Sequence, residues 1–328
     1  MLLLSREDIK SIFSMKDAIN SVKQSFMLYS DGKAENPLRT SIKTEDDDGT
    51  LLFMPTYAKD TAYASLKIIN IYPKNMQKGI PTSFAQVVLI DAKTGEIVAI
   101  LDGTCVTQLR TGAASGASFD VLSRRDATIG TLIGTGGQAE SQLEAMLTVR
   151  KLKKVNVYDC SLQRTKAFVE QMNENFKAYG TKIVAVDSAD EALVNSDLLI
   201  TVTPSKNPVF DASKCKAGIT LSCVGSYQPD MQEMDPGILT RASKIYFDST
   251  SAVLEESGDI IIPLNKGLIT EKSITGEIGD VFSGKINGRE SEDEIIVFKT
   301  VGIGMQDLVT AKDIYEKALV AGIGTKWN

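Results

Sequence analysis

The feature that most constrains the fold is a regular alternation of strand and helix signals through the middle of the chain. An apolar strand pattern at residues 127–133 precedes a helical pattern at 138–149. The alternation then continues through 154–158, 162–176, 182–186 and 189–194 to a strand at 198–202. Short apolar strands separated by helices pack as a parallel sheet with helices on both faces. The sequence therefore predicts an α/β fold for this region.

The regions on either side predict a different, α+β arrangement. Ser14 can cap a helix whose apolar residues share one face and which ends near Gly32. Strand signals follow at 38–44 and 50–54, flanking a turn at 46–49, and at 84–91 and 96–101. Helices are predicted over 107–122 and within 300–328. A length of 328 residues agrees with about two domains.

Composition excludes several chemistries. The chain contains no histidine, which removes Ser-His-Asp and Cys-His nucleophile pairs, histidine metal sites and imidazole acid–base catalysis. A net charge of −6, from 36 basic and 42 acidic residues, argues against nucleic acid as the main partner. No CxxC pair, signal peptide or long apolar span is evident, so we expect a cytoplasmic protein with reduced thiols, no metal and no membrane partner.

A glycine-rich turn joins the first strand and the first helix of the predicted parallel sheet. It reads Gly134-Thr135-Gly136-Gly137-Gln138-Ala139. The first glycine permits the tight turn, the second lets the backbone approach a pyrophosphate, and the small alanine allows close helix packing. The helix N-terminus then attracts the anion. The alternative is a glycine turn of an unrelated α/β protein, but the flanking strand and helix favour a dinucleotide site.

Asp159 bears on the choice of cofactor. It ends the next strand, 25 residues after Gly134, where dinucleotide folds place the acid that binds the ribose hydroxyls. A carboxylate there repels a 2′-phosphate, so the sequence favours NAD over NADP. Arg164, five residues further on, keeps NADP open. The alternative role for Asp159 is an ordinary helix N-cap.

Other candidate ligand-binding residues follow later strands of the same sheet. Thr201 and Thr203 come at the end of the strand at 198–202, and Val224 and Gly225 end the strand predicted at 219–224. The carboxyl ends of parallel strands are where ligands of such sheets bind. Strand-end capping is the alternative role for the two threonines.

Further motifs extend along nearly the whole chain. They include Pro55, Lys67, Pro73, Asn75, Thr107-x-x-Arg110-Thr111-Gly112-Ala113, Val224-Gly225-Ser226-Tyr227-Gln228-Pro229-Asp230-x-x-Glu233, Asp248-Ser249, Glu256-Ser257-Gly258-Asp259 and Phe298-Lys299-Thr300-Val301-Gly302-x-x-x-x-Asp307. With the glycine-rich turn, this order of motifs resembles the ornithine cyclodeaminase/mu-crystallin family.

The resemblance implies a nicotinamide-dependent homodimer of two domains. A central Rossmann-type dinucleotide-binding domain, residues 119–302, would be inserted in an α+β substrate-binding and dimerisation domain formed by residues 1–118 plus 303–328. Members of the family include ornithine cyclodeaminases, alanine dehydrogenases, cyclic ketimine reductases and opine-like condensing reductases. All act at a carbon that carries a carboxylate and an amine or imine.

The resemblance also implies site residues. Arg39, Lys67 and Arg110 match the family's carboxylate-binding cations, and a charge-assisted hydrogen bond of this kind is worth about 1.5–3 kcal/mol. A solvated surface charge is the usual alternative, but Lys67 lies within the apolar run 64–72 and needs a partner there, such as a substrate. Thr82, Ser83 and Glu256 match positions near the ligand. The matched cofactor-binding residues are Thr111, Gly134, Gly136, Gly137, Gln138, Ala139, Asp159, Thr201, Thr203, Val224, Gly225, Val301 and Gly302.

Two departures from the family pattern bear on the reaction. Tyr227 stands where the cyclodeaminases carry an aspartate, and Leu52 where they carry a glutamate. Ornithine cyclisation needs a base at neutral pH, whereas tyrosine, with a reference pKa of about 10, is mainly a proton donor. We therefore expect NAD(P)H-dependent reduction of a cyclic ketimine or small 2-imino acid such as pyrroline-2-carboxylate, with Lys67 and Tyr227 as catalytic candidates.

Three other functions are alternatives to imine reduction. They are an ornithine cyclodeaminase that forms proline and ammonia, an alanine dehydrogenase-like amino acid oxidoreductase, and a non-enzymatic ligand-binding protein like mu-crystallin. The first two would use the same carboxylate anchors and the same dinucleotide turn. The third would bind cofactor without appreciable turnover.

Overall fold

The computed structural model describes residues 1–45 and 48–327. It divides into two compact units, Met1–Arg110 with Gly302–Asn328, and Thr111–Val301. The first boundary therefore falls at residues 110/111 and not at the predicted 118/119, and the second falls at 301/302 and not at 302/303. The first difference arises because the boundary lies within one uninterrupted helix, Gly103–Leu122, whose sequence carries no break.

The predicted elements occur in the predicted order, and the structure contains others that the sequence patterns did not predict, among them strands at Tyr63–Ile71 and Ile296–Lys299. Within the described residues the strands are β1 (Leu2–Leu4), β2 (Ala34–Glu35), β3 (Thr40–Thr44), β4 (Gly49–Ala58), β5 (Tyr63–Ile71), β6 (Ser83–Asp91), β7 (Ile97–Asp102), β8 (Ile129–Ile133), β9 (Lys154–Tyr158), β10 (Lys182–Ala185), β11 (Leu198–Thr201), β12 (Thr220–Cys223), β13 (Lys244–Phe247), β14 (Gly276–Glu277), β15 (Ile296–Lys299) and β16 (Thr325–Lys326). The α-helices are α1 (Arg6–Ile12), α2 (Met15–Ser30), α3 (Gly103–Leu122), α4 (Ala139–Val149), α5 (Leu162–Asn175), α6 (Ala189–Leu193), α7 (Pro236–Arg241), α8 (Thr250–Glu256), α9 (Gly258–Asn265), α10 (Ile278–Phe282) and α11 (Gly304–Ala321). Short 3-10 helices occupy Lys59–Thr61, Pro73–Lys78, Lys177–Tyr179, Ala212–Lys214 and Glu271–Ser273.

The first unit is a mostly antiparallel sheet covered by helices. Its described strands lie in the order β16-β1-β7-β6-β5-β4-β2, with β3 paired to β4. The pair β1–β7 is parallel, and the other described pairs are antiparallel. The pairs β3–β4 and β6–β7 confirm the two predicted strand pairs, although residues 46 and 47 of the first turn lie outside the described residues. Helix α11 packs on β4, β5 and β6 and on α2.

Local sequence explains the start of α2. The Ser14 hydroxyl accepts the Asp17 N–H at 3.2 Å, and the Asp17 carboxylate accepts the Ser14 N–H at 3.0 Å. This capping box satisfies two backbone N–H groups that the helix itself leaves without partners. The predicted apolar face of the helix, which includes Val22 and Phe26, is fully buried.

The second unit is a parallel sheet with the order β10-β9-β8-β11-β12-β15-β13-β14. Every neighbouring pair in it is parallel, so the predicted α/β fold of this region is confirmed. The order of strands reverses between β8 and β11, and ligands of open parallel sheets bind at such a reversal, beyond the carboxyl ends of the strands. The glycine-rich turn follows β8 at this place.

The core of the second unit holds the turn in position. Apolar residues of β8, β9 and β11 pack against those of α4 in one buried cluster that includes Leu132, Val157, Ile200, Leu143 and Met146. Burying each such side chain stabilises the fold by about 1.5–3 kcal/mol. Across residues 1–45 and 48–327, no helix combines the length and the hydropathy that are needed to cross a bilayer.

Candidate active site

The glycine-rich turn has the geometry of an anion cradle. Gly134 has a φ of 107°, in the left-handed region, and a Cβ there would lie 2.7 Å from the Val202 carbonyl oxygen. Among the described residues, a Cβ at Gly136 or Gly137 would meet no atom within 4 Å, so this backbone borders open space. Helix α4 begins at Ala139 and its N-cap, Gln138, makes no side-chain capping bond. The turn therefore directs the helix N-terminus toward an open region, as phosphate binding requires.

Asp159 joins the end of β9 to this turn. Its Oδ2 accepts the Thr135 N–H at 3.1 Å and the Thr135 hydroxyl at 3.0 Å, while its Oδ1 accepts from Ser161 N at 3.1 Å and Arg164 at 2.5 Å. Burial raises the pKa of Asp159, but the hydrogen bonds from Arg164, Ser161 and Thr135 outweigh it and hold the pKa at about 2. The side chain is thus an anion at neutral pH. The N-cap of α5 is Ser161, so the alternative role of Asp159 as that cap is wrong.

Two buried side-chain oxygens bear on whether a dinucleotide fits this turn. Thr111 Oγ1 and Gln138 Oε1 are buried and have no hydrogen-bond partner among the residues that the structure describes. Buried polar atoms without partners are rare in native proteins and point to a missing ligand or water. Thr111 begins the second unit, and its carbonyl accepts the Gln142 side-chain N–H at 3.0 Å. The open glycines, the ionised Asp159 and these atoms together fit a dinucleotide phosphate and ribose.

The carboxyl ends of β11 and β12 meet at a buried glutamate that sequence reasoning missed. Glu233 accepts hydrogen bonds from the Thr203 N–H, from the Gly225 N–H and from the Thr201 hydroxyl. Three of the predicted cofactor residues are therefore brought together, but around an internal carboxylate. The fourth, Val224, is half-buried between β12 and Gly225.

The first unit contains a buried cluster of opposite charges. Lys67 on β5 donates to Asp307 Oδ2 at 2.6 Å, and Arg110 Nε donates to Asp307 Oδ1 at 3.2 Å. Arg110 also donates to the Gln306 side chain at 3.1 Å. The side chains of Lys67 and Asp307 are each only 1% exposed. One carboxylate therefore accepts from two cations, and the two predicted anchors Lys67 and Arg110 lie next to each other.

Arg39 reaches the same cluster through the segment between β15 and α11. It donates to the Gly302 carbonyl oxygen at 3.0 Å. Gly302 has a φ of 81°, and a Cβ there would collide with the Arg110 guanidinium. Only glycine therefore allows Arg39 and Arg110 to approach the same short segment.

The environment of Lys67 sets its protonation. Burial and the neighbouring Arg110 charge lower the pKa of Lys67, Asp307 raises it in part, and the net result is a pKa of about 7. With all four groups ionised, the three cations Arg39, Lys67 and Arg110 and the single anion Asp307 leave a net charge of +2. Such a cluster can hold a carboxylate and can also exchange a proton near neutral pH.

The remaining predicted residues lie apart from this cluster or in the other unit. Thr82 precedes β6, and its carbonyl accepts the Tyr72 N–H at 2.8 Å. Because Lys67 pairs with Val87, five residues from Thr82, the two positions are about 16 Å apart along the strand. Ser83 starts β6. Tyr227 and Glu256 are half-buried, after β12 and at the end of α8 respectively.

The chain matches one protein-family model over residues 1–322, the model of the ornithine cyclodeaminase/mu-crystallin family. The chain belongs to this family. The resemblance inferred from the sequence motifs is thereby confirmed.

Individual relatives are similar over their full length. The Delta(1)-pyrroline-2-carboxylate reductase of Bacillus cereus is 35% identical over 326 residues, which cover 99% of each chain. The solved structure of Thermococcus litoralis Delta(1)-pyrroline-2-carboxylate reductase in complex with NADH and L-proline is 42% identical, with a TM-score of 0.95 and full coverage of both chains. An archaeal alanine dehydrogenase dimer with bound NAD is 36% identical, with a TM-score of 0.91 and coverage of 100% and 99%.

Three buried acidic residues have contacts that sequence reasoning missed. Asp307 and Glu233 both stand in the family motifs, but nothing in the spacing of the motifs shows which atoms they contact. Asp248 is a third such residue. It is fully buried after β13 and accepts from the Thr300 hydroxyl at 2.5 Å and from the Val301 N–H at 3.0 Å. The only signal in the sequence was an acid placed among apolar or small residues, where a charge needs a partner.

Proposed function

We propose that this chain is an NAD-dependent oxidoreductase that reduces a cyclic 2-imino acid, such as Δ1-pyrroline-2-carboxylate, to the amino acid. The observation that carries the proposal is the buried cluster in which Lys67 and Arg110 share Asp307. Its surplus of positive charge suits a substrate with one carboxylate. The Thermococcus litoralis relative, with bound NADH and L-proline, supports the same substrate class.

The cations anchor the substrate carboxylate. Arg110 is held by Asp307 and Gln306 at 3.2 and 3.1 Å, so its guanidinium is fixed before the substrate binds. Arg39 is half-buried and is held by the Gly302 carbonyl. Each charge-assisted hydrogen bond from such a group to a carboxylate contributes about 1.5–3 kcal/mol. Fixed anchors also orient the adjacent imine carbon, and orientation lowers the barrier of the chemical step.

The reaction consumes one hydride and one proton. When bound, NADH supplies the hydride to the imine carbon. The C=N double bond becomes a C–N single bond, and the ring nitrogen gains a proton. Lys67 is the group of the first unit suited to hold or deliver that proton, because its pKa of about 7 makes the ammonium acidic enough to donate near neutrality. Its deprotonated form would accept the proton in the reverse direction.

The second unit would bind NAD. The Gly134–Ala139 turn would hold the pyrophosphate at the start of α4, and Asp159 would accept from the ribose hydroxyls. Thr111 Oγ1 and Gln138 Oε1 would gain the partners that the described residues do not give them. Arg164 is committed to Asp159 at 2.5 Å, which favours NAD, since a 2′-phosphate would have to displace that pair.

We also propose that the protein works as a cytoplasmic homodimer. The inner residues of β5, such as Ser65 and Lys67, are buried, whereas the alternate residues Leu66 and Ile68 are only half-buried. Phe84 on the neighbouring strand β6 is 49% exposed. An apolar sheet face of this kind suits a second copy of the chain. Sedimentation equilibrium at micromolar concentration tests the stoichiometry.

An alanine dehydrogenase-like activity is the second candidate. The archaeal alanine dehydrogenase at 36% identity supports it, and the same anchors would bind any small 2-amino or 2-imino acid. The experiment is a cofactor screen in which purified protein is mixed with NADH or NADPH and with Δ1-pyrroline-2-carboxylate, or with pyruvate plus ammonia.

A control reaction contains L-ornithine with NAD. We expect the fastest NADH oxidation with the cyclic imine. Faster turnover with pyruvate and ammonia would transfer the assignment to alanine dehydrogenase. Formation of proline from ornithine would establish a cyclodeaminase. Absence of turnover with every substrate would favour a non-enzymatic ligand-binding protein.

A further inference from the structure

Glu233 makes a second buried charge cluster, within the second unit alone. Its side chain has no exposed surface. Its two oxygens accept from the backbone N–H groups of Thr203 and Gly225, and Oε2 also accepts from the Thr201 hydroxyl at 3.3 Å. Thr201 ends β11 and Gly225 follows β12. One carboxylate therefore ties together the carboxyl ends of two adjacent parallel strands.

The backbone of Glu233 is itself fixed. The N–H groups of Glu233 and Met234 donate to Asp259 Oδ1 at 2.7 and 2.8 Å. Asp259 Oδ2 lies 3.2 Å from Lys299 Nζ, and both side chains have no exposed surface. Lys299 ends β15, the strand on the other side of β12. The network thus links the ends of three neighbouring strands, β11, β12 and β15.

This network lies at the edge of the sheet where the ligands of parallel sheets bind. Gly225 shows how closely the backbone is packed there, because a Cβ at that position would collide with the Thr203 carbonyl and the Glu233 carboxylate. Backbone N–H groups that donate to Glu233 hold their peptide planes in one orientation. Because each peptide group is planar, its carbonyl group and the side chain that follows are then fixed as well.

We propose that Glu233 is a positioning residue for the nicotinamide cofactor, which fixes the segments at Thr203 and Gly225 through their backbone N–H groups and does not itself react. The inference rests on the proposed function only in that the ligand is NAD(H). It assigns to Glu233 an effect on cofactor affinity and leaves the binding of the imino acid to the first unit.

The charges around Glu233 make this role dependent on pH. Burial and the Asp259 carboxylate raise the pKa of Glu233, Lys299 and the hydrogen bonds from Thr203 lower it in part, and the net result is a pKa of about 7. The neighbouring titratable group on β12 is the Cys223 thiol, whose pKa burial also raises. Protonation converts one acceptor oxygen of Glu233 into a donor, which opposes the N–H of Thr203 or Gly225. Cofactor affinity should therefore fall as the pH drops through about 7.

The test measures the Kd of NADH by fluorescence titration between pH 6 and pH 8.5. For the natural protein we expect the Kd to rise several-fold from the alkaline to the acidic end. For Glu233→Gln we expect a Kd about 10-fold higher at the alkaline end, because the amide donates where an acceptor is needed, and no further rise toward acid pH. The KM for the imine should change less than 3-fold. Glu174→Gln, an exposed residue paired with Lys177, is the matched control.

Two further measurements separate the outcomes. Lys67→Met removes the other group with a pKa near 7, and its NADH affinity should keep the pH dependence of the natural protein. Circular dichroism melting confirms that Glu233→Gln is folded. An unchanged Kd and pH dependence in the folded Glu233→Gln protein overturns the proposal. If that variant does not fold, a Kd independent of pH in the natural protein and in Lys67→Met overturns it. Failure of the natural protein to bind NADH at any pH refutes the proposed function instead.

Discussion

The Lys67 ammonium nitrogen lies 2.6 Å from Asp307 Oδ2, and both side chains are almost completely buried. The two residues are 240 positions apart in the sequence and come from β5 and α11. Because Arg110 holds the other oxygen of Asp307, Lys67 can lose its proton without leaving a buried carboxylate unpaired. Lys67 can therefore change its charge inside the buried cluster while the guanidinium groups beside it stay charged.

Replacing Lys67 by methionine should abolish most activity while the protein stays folded. A positioned proton donor typically contributes about 100- to 10,000-fold to the rate, so kcat/KM for the imine should fall by at least about 100-fold. The fold should tolerate the change, because Asp307 keeps its bond to Arg110. Steady-state kinetics and thermal melting check both points, with Lys33→Met, an exposed residue paired with Asp31 and Asp60, as control. A folded Lys67→Met protein with near-normal turnover would contradict the assignment.

The pH dependence of imine reduction should follow Lys67. Its pKa, lowered by burial and Arg110 to about 7, means that the ammonium is present below about pH 7 and is lost as the pH rises. The value of kcat/KM for reduction should therefore fall as the pH rises through about 7. The value of kcat/KM for oxidation of the amino acid should rise over the same pH range, because that direction needs the neutral amine of Lys67 as proton acceptor.

Asp307 should set the pH at which kcat/KM for imine reduction falls. Its charge raises the pKa of Lys67, so Asp307→Asn should move the fall in kcat/KM to a pH about 1–3 units lower. The pH profiles of the natural protein and of Asp307→Asn, measured with the same buffers and substrate, make the comparison. Identical midpoints would show that Lys67 is not the titrating group.

Arg39 should contribute mainly to substrate affinity. Loss of one charge-assisted hydrogen bond to the substrate carboxylate costs about 1.5–3 kcal/mol, or roughly a 10- to 100-fold rise in the KM for the imine on Arg39→Met. The NADH affinity should stay within about 2-fold of the natural value, because Asp159 and the glycine-rich turn lie in the other unit. Kinetics with each substrate varied in turn give the two constants. A rise confined to the KM for NADH would refute the carboxylate role.

Asp159 should select NADH over NADPH. In Asp159→Ser the ribose hydroxyls lose their acceptor and Arg164 loses its ion pair, which leaves the guanidinium for a 2′-phosphate. We expect kcat/KM to fall about 10-fold with NADH and to rise with NADPH. The double variant Asp159→Ser/Arg164→Ala should lose the gain with NADPH. An unchanged preference in Asp159→Ser would place the selectivity elsewhere.

Local sequence patterns predict the parallel sheet and the glycine-rich turn well. Ser14 with Asp17, and Gly134 with the strand before it, act over a few residues, so their patterns specify the helix start and the turn directly. The resemblance to the family added the anchors Arg39, Lys67 and Arg110. Their relation to each other follows from the pairing of β5 and the packing of α11 on it.

Long-range electrostatics could not be predicted in the same way. The partner of Lys67 was expected to be a substrate, whereas the structure supplies Asp307, from a helix near the other end of the chain. Glu233 stood in a recognised motif, yet its contacts join three segments that only the parallel sheet brings together. The pKa values of the buried groups also depend on burial, which the spacing of residues in the sequence does not show. A chain without histidine thereby obtains, in Lys67, a group that titrates near neutrality.

Transfer of deuterium from the cofactor to the substrate would test the proposed imine reduction directly. Purified protein would be mixed with Δ1-pyrroline-2-carboxylate and with NADH that carries deuterium at both C4 positions, and the proline formed would be analysed by mass spectrometry and NMR. We expect one deuterium per molecule of proline, located on the carbon that carries the carboxylate, with one NADH oxidised for each proline. Proline without deuterium at that carbon, or no proline at all from folded protein that binds NADH, would contradict it.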